Sequence, residues 1–492
     1  MTEPAIAEDQ VPIDREQASG EAIESSTLKR QMGTKSLMLV VLAYMSPITA
    51  VAGYVPLAIG YGNGLGAPLM FVAVGIVMLF FSVGFSAMVR NIPRPGAFYA
   101  YISAGLGRRV GLGAGYLAAA NYIVGGASFF FFGGITVHGL MLSSFNIDVP
   151  WWAYALFFLV IVSVFSYRGM QFNIRILVPV VLVELALVAA FNIGTLIRGG
   201  PTGYATDVFT WEAFTSGPIA VAALFVLALF AGWETTAVYR EEVHNPDRAI
   251  PRATYLLAAF VSLFYGLVAW CLIIALGTDK AVEATAADPA GSFSTALAHS
   301  LGGASGQILT VLIITSIIAC ELSIANASSR YLYSFSVDKM IPHGFSKVHD
   351  RLGSPHRAAV LNIAIMVIAA LVMFIVRRDP VEIYVAATGV LMFAFEALML
   401  LMSIAVVVYF RRNRGTGEPL WKVVIAPTVS SCIFACLLYV SAINSDLILG
   451  ERTTLVPVLF ALVAVFFIVG FGYASFLANR RPADFHRIGR TE

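Results

Sequence analysis

Twelve apolar runs, each close to the length a helix needs to cross a bilayer, follow one another between residues 36 and 478. They lie at 36–62, 67–90, 111–142, 150–167, 172–197, 218–240, 252–277, 304–334, 356–376, 381–410, 420–442 and 454–478. About 20 apolar residues in a helix span the hydrocarbon core, and inside that core each backbone N–H and C=O must find a partner within the chain. The runs therefore predict an all-α polytopic membrane protein of 12 transmembrane helices, one membrane unit rather than several soluble domains. Composition agrees: 59% of residues are hydrophobic and 12% charged, against roughly 25% charged in soluble proteins.

The distribution of charge sets the orientation. With the N-terminus inside, five of the 31 Lys and Arg fall on the outer side, namely Arg198, Lys280, Arg377, Arg378 and Arg452. The rest lie inside or near inner helix ends, including Arg90, Arg108, Arg109, Arg411, Arg412, Arg480 and Arg481. That asymmetry predicts both termini on the cytoplasmic side of the plasma membrane. Residues 1–34 carry seven acidic residues before Ser25 and no apolar run of signal-peptide length. They read as a disordered cytoplasmic tail, followed by a membrane domain over 35–480 and a short cytoplasmic tail at 481–492.

Other chemistries find little support. The net charge of +2 gives no footprint for nucleic acid, and no Gly-rich loop ends in Lys-Ser/Thr to hold a nucleotide. Cys271, Cys320, Cys432 and Cys436 all fall inside apolar runs, and the seven histidines show no metal-ligand spacing. No metal or other cofactor is expected. The expected partners are a small-molecule substrate, a proton and membrane lipid.

Two runs are interrupted near their centres. The first reads Tyr44-Met45-Ser46-Pro47-Ile48-Thr49-Ala50-Val51-Ala52-Gly53, and the sixth reads Phe230-Ala231-Gly232-Trp233-Glu234 before a charged turn ending at Pro251. A break at this depth frees backbone groups that lipid cannot satisfy. Paired breaks in corresponding segments are the sequence signature of a carrier built from inverted repeats, with its solute held between them.

Four blocks in order carry a family likeness. They are Pro93-Arg94-Pro95-Gly96-Ala97-Phe98-Tyr99-Ala100-Tyr101 with Gly105-Leu106-Gly107 and Gly111 to Gly115; Phe230 to Glu234 with Glu241-Glu242 and Asn245-Pro246 to Ala253; Ser329-Arg330-Tyr331-Leu332-Tyr333 to Pro342; and Val348-His349-Asp350-Arg351 with Pro355. Over residues 34–480 the chain resembles the amino acid–polyamine–organocation (APC) family of permeases. The likeness implies a five-plus-five inverted repeat (LeuT-like) with two further C-terminal helices, and discontinuous first and sixth helices. Members often carry Gly-x-Gly at the first break; this chain keeps one glycine, Gly53, which permits the backbone conformation needed there.

An amino acid needs N–H donors at a helix N-terminus for its carboxylate and free carbonyls for its ammonium. Thr49, Ala50, Val51, Ala52 and Gly53 are the expected carboxylate side, where the second half of the first helix begins. Phe230, Ala231 and Gly232 are the expected carbonyl side, with Trp233 either covering the substrate or packing. Glu184, Glu234, Glu321 and Glu396 lie in apolar runs, with no Lys or Arg at comparable depth. Lipid disfavours a charged carboxylate, and a carboxyl poised between its two forms suits proton coupling.

By resemblance Glu184 stands about where some proton-coupled relatives carry a lysine in place of a sodium ion, and it leads the proton candidates, with Glu321 and Glu234 behind it. Glu234 is also expected to orient the broken backbone. Asn326 is expected to bond between helices. Arg240, Glu241, Glu242 and Arg330 form a charged cluster able to latch an inner gate. These features predict a secondary transporter and not an enzyme: an amino acid or amine permease, driven by proton symport, with an exchanger or a polyamine importer as the alternative. A non-transporting sensor or an intramembrane enzyme would need an output domain or a nucleophile–base pair that the sequence does not display.

Overall fold

The computed structural model describes residues 28–30, 32–94, 96–375, 379–445 and 456–490. Pro95, Arg377, Arg378, Arg452 and most of the proposed N-terminal tail, residues 1–27, lie outside them. Among the described residues the chain is helical throughout, with one isolated backbone bridge between Met32 and Val243.

The helices that frame the site are α1 (Thr34–Met45), α2 (Pro47–Leu57), α3 (Ala67–Asn91), α4 (Ala97–Leu106), α5 (Arg108–Phe145), α6 (Trp151–Arg168) and α7 (Met170–Arg198). They continue with α8 (Ile219–Ala228), α9 (Thr235–Val238), α10 (Pro246–Leu276), α11 (Ser305–Val337), α12 (His356–Ile375) and α13 (Pro380–Arg412). The chain closes with α14 (Ala426–Ile443), α15 (Val456–Arg480) and α16 (Pro482–Arg487).

Ten helical stretches among the described residues are long and apolar enough to cross a membrane. The count differs from the twelve runs in the sequence because the first and sixth runs are cut. α1 and α8 are each too short to cross alone, and α2 continues through irregular turns into α3.

The first cut is a single residue. Ser46 adopts the left-handed conformation (φ 50°), and its N–H turns back to the carbonyls of Leu42 and Ala43, closing α1. Pro47 then opens α2, where its fixed φ suits the first turn and its missing N–H costs nothing. Pro56 near the end of α2 cannot donate to the ladder, and the next six residues, Ala58–Asn63, widen into a π-type turn.

The second cut is longer. From Leu229 to Glu234 the backbone winds in tight turns in which Phe230, Ala231 and Trp233 each donate three residues back. It pivots at Gly232, whose φ of +94° favours glycine.

Small residues let the surrounding helices approach closely. Ser262 of α10 sits where a side chain on Gly75 of α3 would stand, and its hydroxyl donates to the Phe71 carbonyl at 2.7 Å. Gly113 of α5 faces Phe467 of α15, and Gly105 of α4 lies against the Ala405 backbone of α13. Together these contacts hold α3, α4, α5, α10 and α13 as a frame around the two broken helices.

Both ends of the described chain are docked. Leu28 and Met32, placed in the tail by composition, are buried; the Met32 N–H donates to the Glu242 carbonyl at 2.9 Å and its carbonyl accepts from His244 at 2.8 Å. At the other end Ile488 is buried, and the Gly489 N–H donates to the Tyr99 hydroxyl (2.8 Å) and the Asp338 carboxylate (3.2 Å).

Candidate substrate site

The two cuts face each other across a cavity of about 90 Å³. Ser46, Thr49 and Ala50 border it from one side, and Leu229, Ala231 and Gly232 from the other. The far wall comes from Asn121 and Phe129 of α5, Cys320 and Ile324 of α11, and α13 residues from Tyr384 to Phe395. A second cavity of about 510 Å³ adjoins it toward Leu57 and Leu224. Thr49, Tyr54, Ala228, Tyr384, Thr388 and Met392 border both spaces.

A helix start leaves four N–H groups without intrahelical partners. At α2 three of these are accounted for. The Ser46 N–H closes α1, Pro47 has none, and the Ile48 N–H donates to Glu184 Oε2 at 3.2 Å. The Thr49 N–H finds no acceptor among the described residues, and the Thr49 hydroxyl is likewise unpaired. From Ala50 onward the helical ladder resumes, with the Ala50 N–H donating to the Ser46 carbonyl at 2.8 Å.

The half-helix thus begins at Pro47 rather than at Thr49, because Ser46 and not Gly53 takes the left-handed conformation; Gly53 lies in the regular part of α2. Ala52 and Gly53 line the larger cavity, whereas Val51 is fully buried and borders neither.

On the facing cut the carbonyls of Leu229 and Ala231 accept no hydrogen bond among the described residues, while those of Phe230 and Gly232 are taken by Trp233 and Thr235. Phe230 itself is fully buried and does not border the cavity. Trp233 turns away as well. Its indole N–H donates to the Thr254 carbonyl of α10 at 3.0 Å, and its ring packs on Phe81 and Phe85 of α3 at 5.5 and 4.9 Å between centroids.

The four buried carboxyls have four different settings. Glu234 borders the cavity, accepts from the Tyr122 hydroxyl at 2.5 Å and accepts from the Gly232 N–H at 3.1 Å, so it braces the cut from within. Glu184, on α7, is fully buried behind the other cut and caps α2 through Ile48. Beside that cap the Ser46 hydroxyl pairs with Ser316 of α11 at 2.7 Å. Glu321, on α11, is fully buried with neither oxygen partnered among the described residues. Glu396 holds the Ser441 hydroxyl of α14 at 2.8 and 2.7 Å, well away from the cuts.

The charged cluster divides in two. Arg330 makes a bidentate pair with Glu242, both buried, donates to the Asn326 carbonyl at 2.7 Å, and lies over the Tyr239 ring at 5.0 Å. The Asn326 amide oxygen accepts from Asn173 of α7 at 3.1 Å. Arg240 joins a separate pair with Asp247 at 2.5 Å and donates to the Val89 carbonyl at 2.9 Å. Glu241 stays partly exposed beside them.

Sequence reasoning passed over Asn121 and Tyr122, which belong to no motif. Their signal was two adjacent polar groups within the apolar stretch from Leu117 to Val124.

A family model described as "Amino acid permease" matches residues 37–486. An uncharacterized transporter of Mycobacterium tuberculosis is 26% identical over 338 residues, covering 68% of this chain and 72% of the relative. The L-asparagine permease of Streptomyces coelicolor is 24% identical over 456 residues, covering 87% of this chain and 90% of the relative. A low-affinity putrescine importer of Escherichia coli is 21% identical over 352 residues, covering 70% and 75%.

Proposed function

The chain belongs to the amino acid permease family, and from that premise we propose that it is a secondary active transporter of an amino acid or related amine, working by alternating access. One observation carries the reading. Two cut helices present unused backbone groups of opposite polarity to one small cavity: the Thr49 N–H on one side, the Leu229 and Ala231 carbonyls on the other. A zwitterion satisfies both at once, its carboxylate at the positive end of α2 and its ammonium on the carbonyls. The Thr49 hydroxyl adds a second donor.

The finer architecture we propose is twelve crossings, with α1 to α7 and α8 to α13 as inverted repeats and α14 and α15 following them. Both termini face the cytoplasm of the plasma membrane, as the Lys/Arg asymmetry favours. In that orientation the Arg330–Glu242 pair and the Met32 pairing with Glu242 and His244 close the inner side, and the larger cavity is the route from outside. The state is outward-facing.

A proton is the proposed coupling ion, and Glu184 its carrier. Glu184 is the candidate that lies outside both cuts and supports one from a neighbouring helix: α7 holds it, and α2 begins on it. When Glu184 is ionised it strengthens the α2 cap; when protonated it weakens the cap, which links charge to the geometry of the cut. Glu321 lies on α11 next to Cys320, whose thiol donates to the Tyr44 carbonyl at the end of α1 at 3.0 Å, and is the second candidate.

The test is uptake into proteoliposomes from a panel of labelled amino acids and amines, with and without an imposed pH gradient. Gradient-dependent accumulation is expected. Uptake confined to preloaded vesicles would replace symport with exchange, and transport of none of the panel would overturn the reading. Glu184→Gln should abolish gradient-driven accumulation while substrate still binds.

A further inference from the structure

Asn121 is buried to 7% exposure and borders the cavity, yet its side-chain oxygen has no partner among the described residues. A buried amide oxygen left without a donor destabilises the empty site. Two polar groups close by are committed elsewhere: the Thr388 hydroxyl donates to the Tyr384 carbonyl at 2.9 Å, and Tyr122 to Glu234. The cavity wall is otherwise mixed, with Phe129, Ile324, Leu391 and Phe395 beside Thr49, Tyr44, Tyr54 and Tyr384.

The charges that border the cavity narrow the ligand further. Among the described residues no Lys, Arg or His does so, which leaves an acidic side chain without a counter-ion. Glu234 is the one acidic neighbour, and both its oxygens already accept hydrogen bonds in bracing the cut. A cationic side chain, or the second ammonium of a diamine, would have to dismantle that brace. The space between the cuts is itself small, about 90 Å³, and widens into the adjoining cavity of about 510 Å³.

Resting on the amino acid transport proposed above, we propose that this cavity selects a small neutral amino acid whose side chain carries a hydroxyl or carboxamide, and that Asn121 reads that group. The amide of Asn121 offers one acceptor and two donors, so it complements either chemistry. A site with a buried polar reader discriminates strongly against the isostere that lacks the group, because its own amide is then unpaired.

The experiment compares isosteric pairs in reconstituted uptake: threonine with valine, and asparagine with leucine, alongside lysine, putrescine and aspartate. The wild type should favour threonine and asparagine over their apolar isosteres by about tenfold or more in kcat/KM, the worth of one satisfied hydrogen bond in a buried site. Asn121→Leu should collapse that ratio while valine and leucine are still carried. Asn121→Asp should admit lysine or putrescine. The wild-type ratios test the inference even where one variant fails to fold.

A wild-type ratio near one, or an equal loss of every substrate in Asn121→Leu, overturns the inference, the latter by placing Asn121 on the common zwitterion. A preference for lysine, putrescine or aspartate overturns it too, yet leaves amino acid or amine transport standing. Transport of nothing in the panel removes the underlying function and this inference together.

Discussion

The two cuts that face the cavity are built in opposite ways. At the first, one residue, Ser46, bends the chain, and the carboxyl that supports the following half-helix comes from elsewhere, from Glu184 on α7. At the second, six residues from Leu229 to Glu234 unwind, and the supporting carboxyl belongs to the cut itself, with Glu234 folded back onto the Gly232 N–H. The Glu234–Gly232 bond travels with its own helix, while Tyr122 of α5 holds the other carboxylate oxygen. A cut braced from a neighbouring helix holds its shape only while the two stay together, and its brace can change with charge. The difference is the ground on which we propose shape for Glu234 and coupling for Glu184.

Substitutions at each cut can break this contrast. The largest effect is expected at Gly232, where an added Cβ would lie 1.9 Å from the Tyr44 ring at a φ of +94°. Gly232→Ala should abolish uptake and counterflow alike; substantial transport would show that the pivot is dispensable. Next, Glu184→Gln should abolish proton-driven accumulation while counterflow of substrate persists. Glu234→Gln keeps the size of the brace but forfeits a charge-assisted hydrogen bond of about 1.5–3 kcal/mol, and it should slow accumulation and counterflow in parallel by about tenfold or more. If Glu234→Gln uncouples and Glu184→Gln slows, the two roles are reversed.

Smaller effects sharpen the picture. Ser316→Ala removes the partner of the Ser46 hydroxyl, a neutral bond of about 0.5–1.5 kcal/mol, and should change accumulation a few-fold with no loss of coupling. Trp233→Phe keeps the ring packing on Phe81 and Phe85 but deletes the donor to Thr254. It should lower thermal stability by about 1 kcal/mol and leave KM unchanged. A large KM shift would bring Trp233 to the substrate.

Much of this was legible in the sequence for definite reasons. Membrane-length apolar runs have no other stable fold, and Pro47 and Gly232 punctuate two of them where lipid allows no loose backbone. The place of each cut was legible, but its register was not. A left-handed serine leaves no mark in composition, so the start of α2 fell two residues earlier than expected, and the run from Thr49 to Gly53 contains a single free N–H.

The direction of Trp233 was also hidden. Whether an aromatic at a cut faces solute or scaffold depends on α3 and α10, far away in sequence. Asn121 needed structure for the same reason: an amide in an apolar run signals a buried partner, and only the packed helices reveal that its oxygen has none among the described residues.

The bridge between Met32 and Val243 has a mechanical meaning. It fastens the segment just before α1 to the segment just after α9. The halves of the two cut helices beside it, α1 and α9, therefore hang from one seam, with Ser46 and Gly232 at their far ends. Swinging either half alone would tear the seam, so under the alternating access proposed above the two would swing as a single door leaf, with one inner gate to time rather than two.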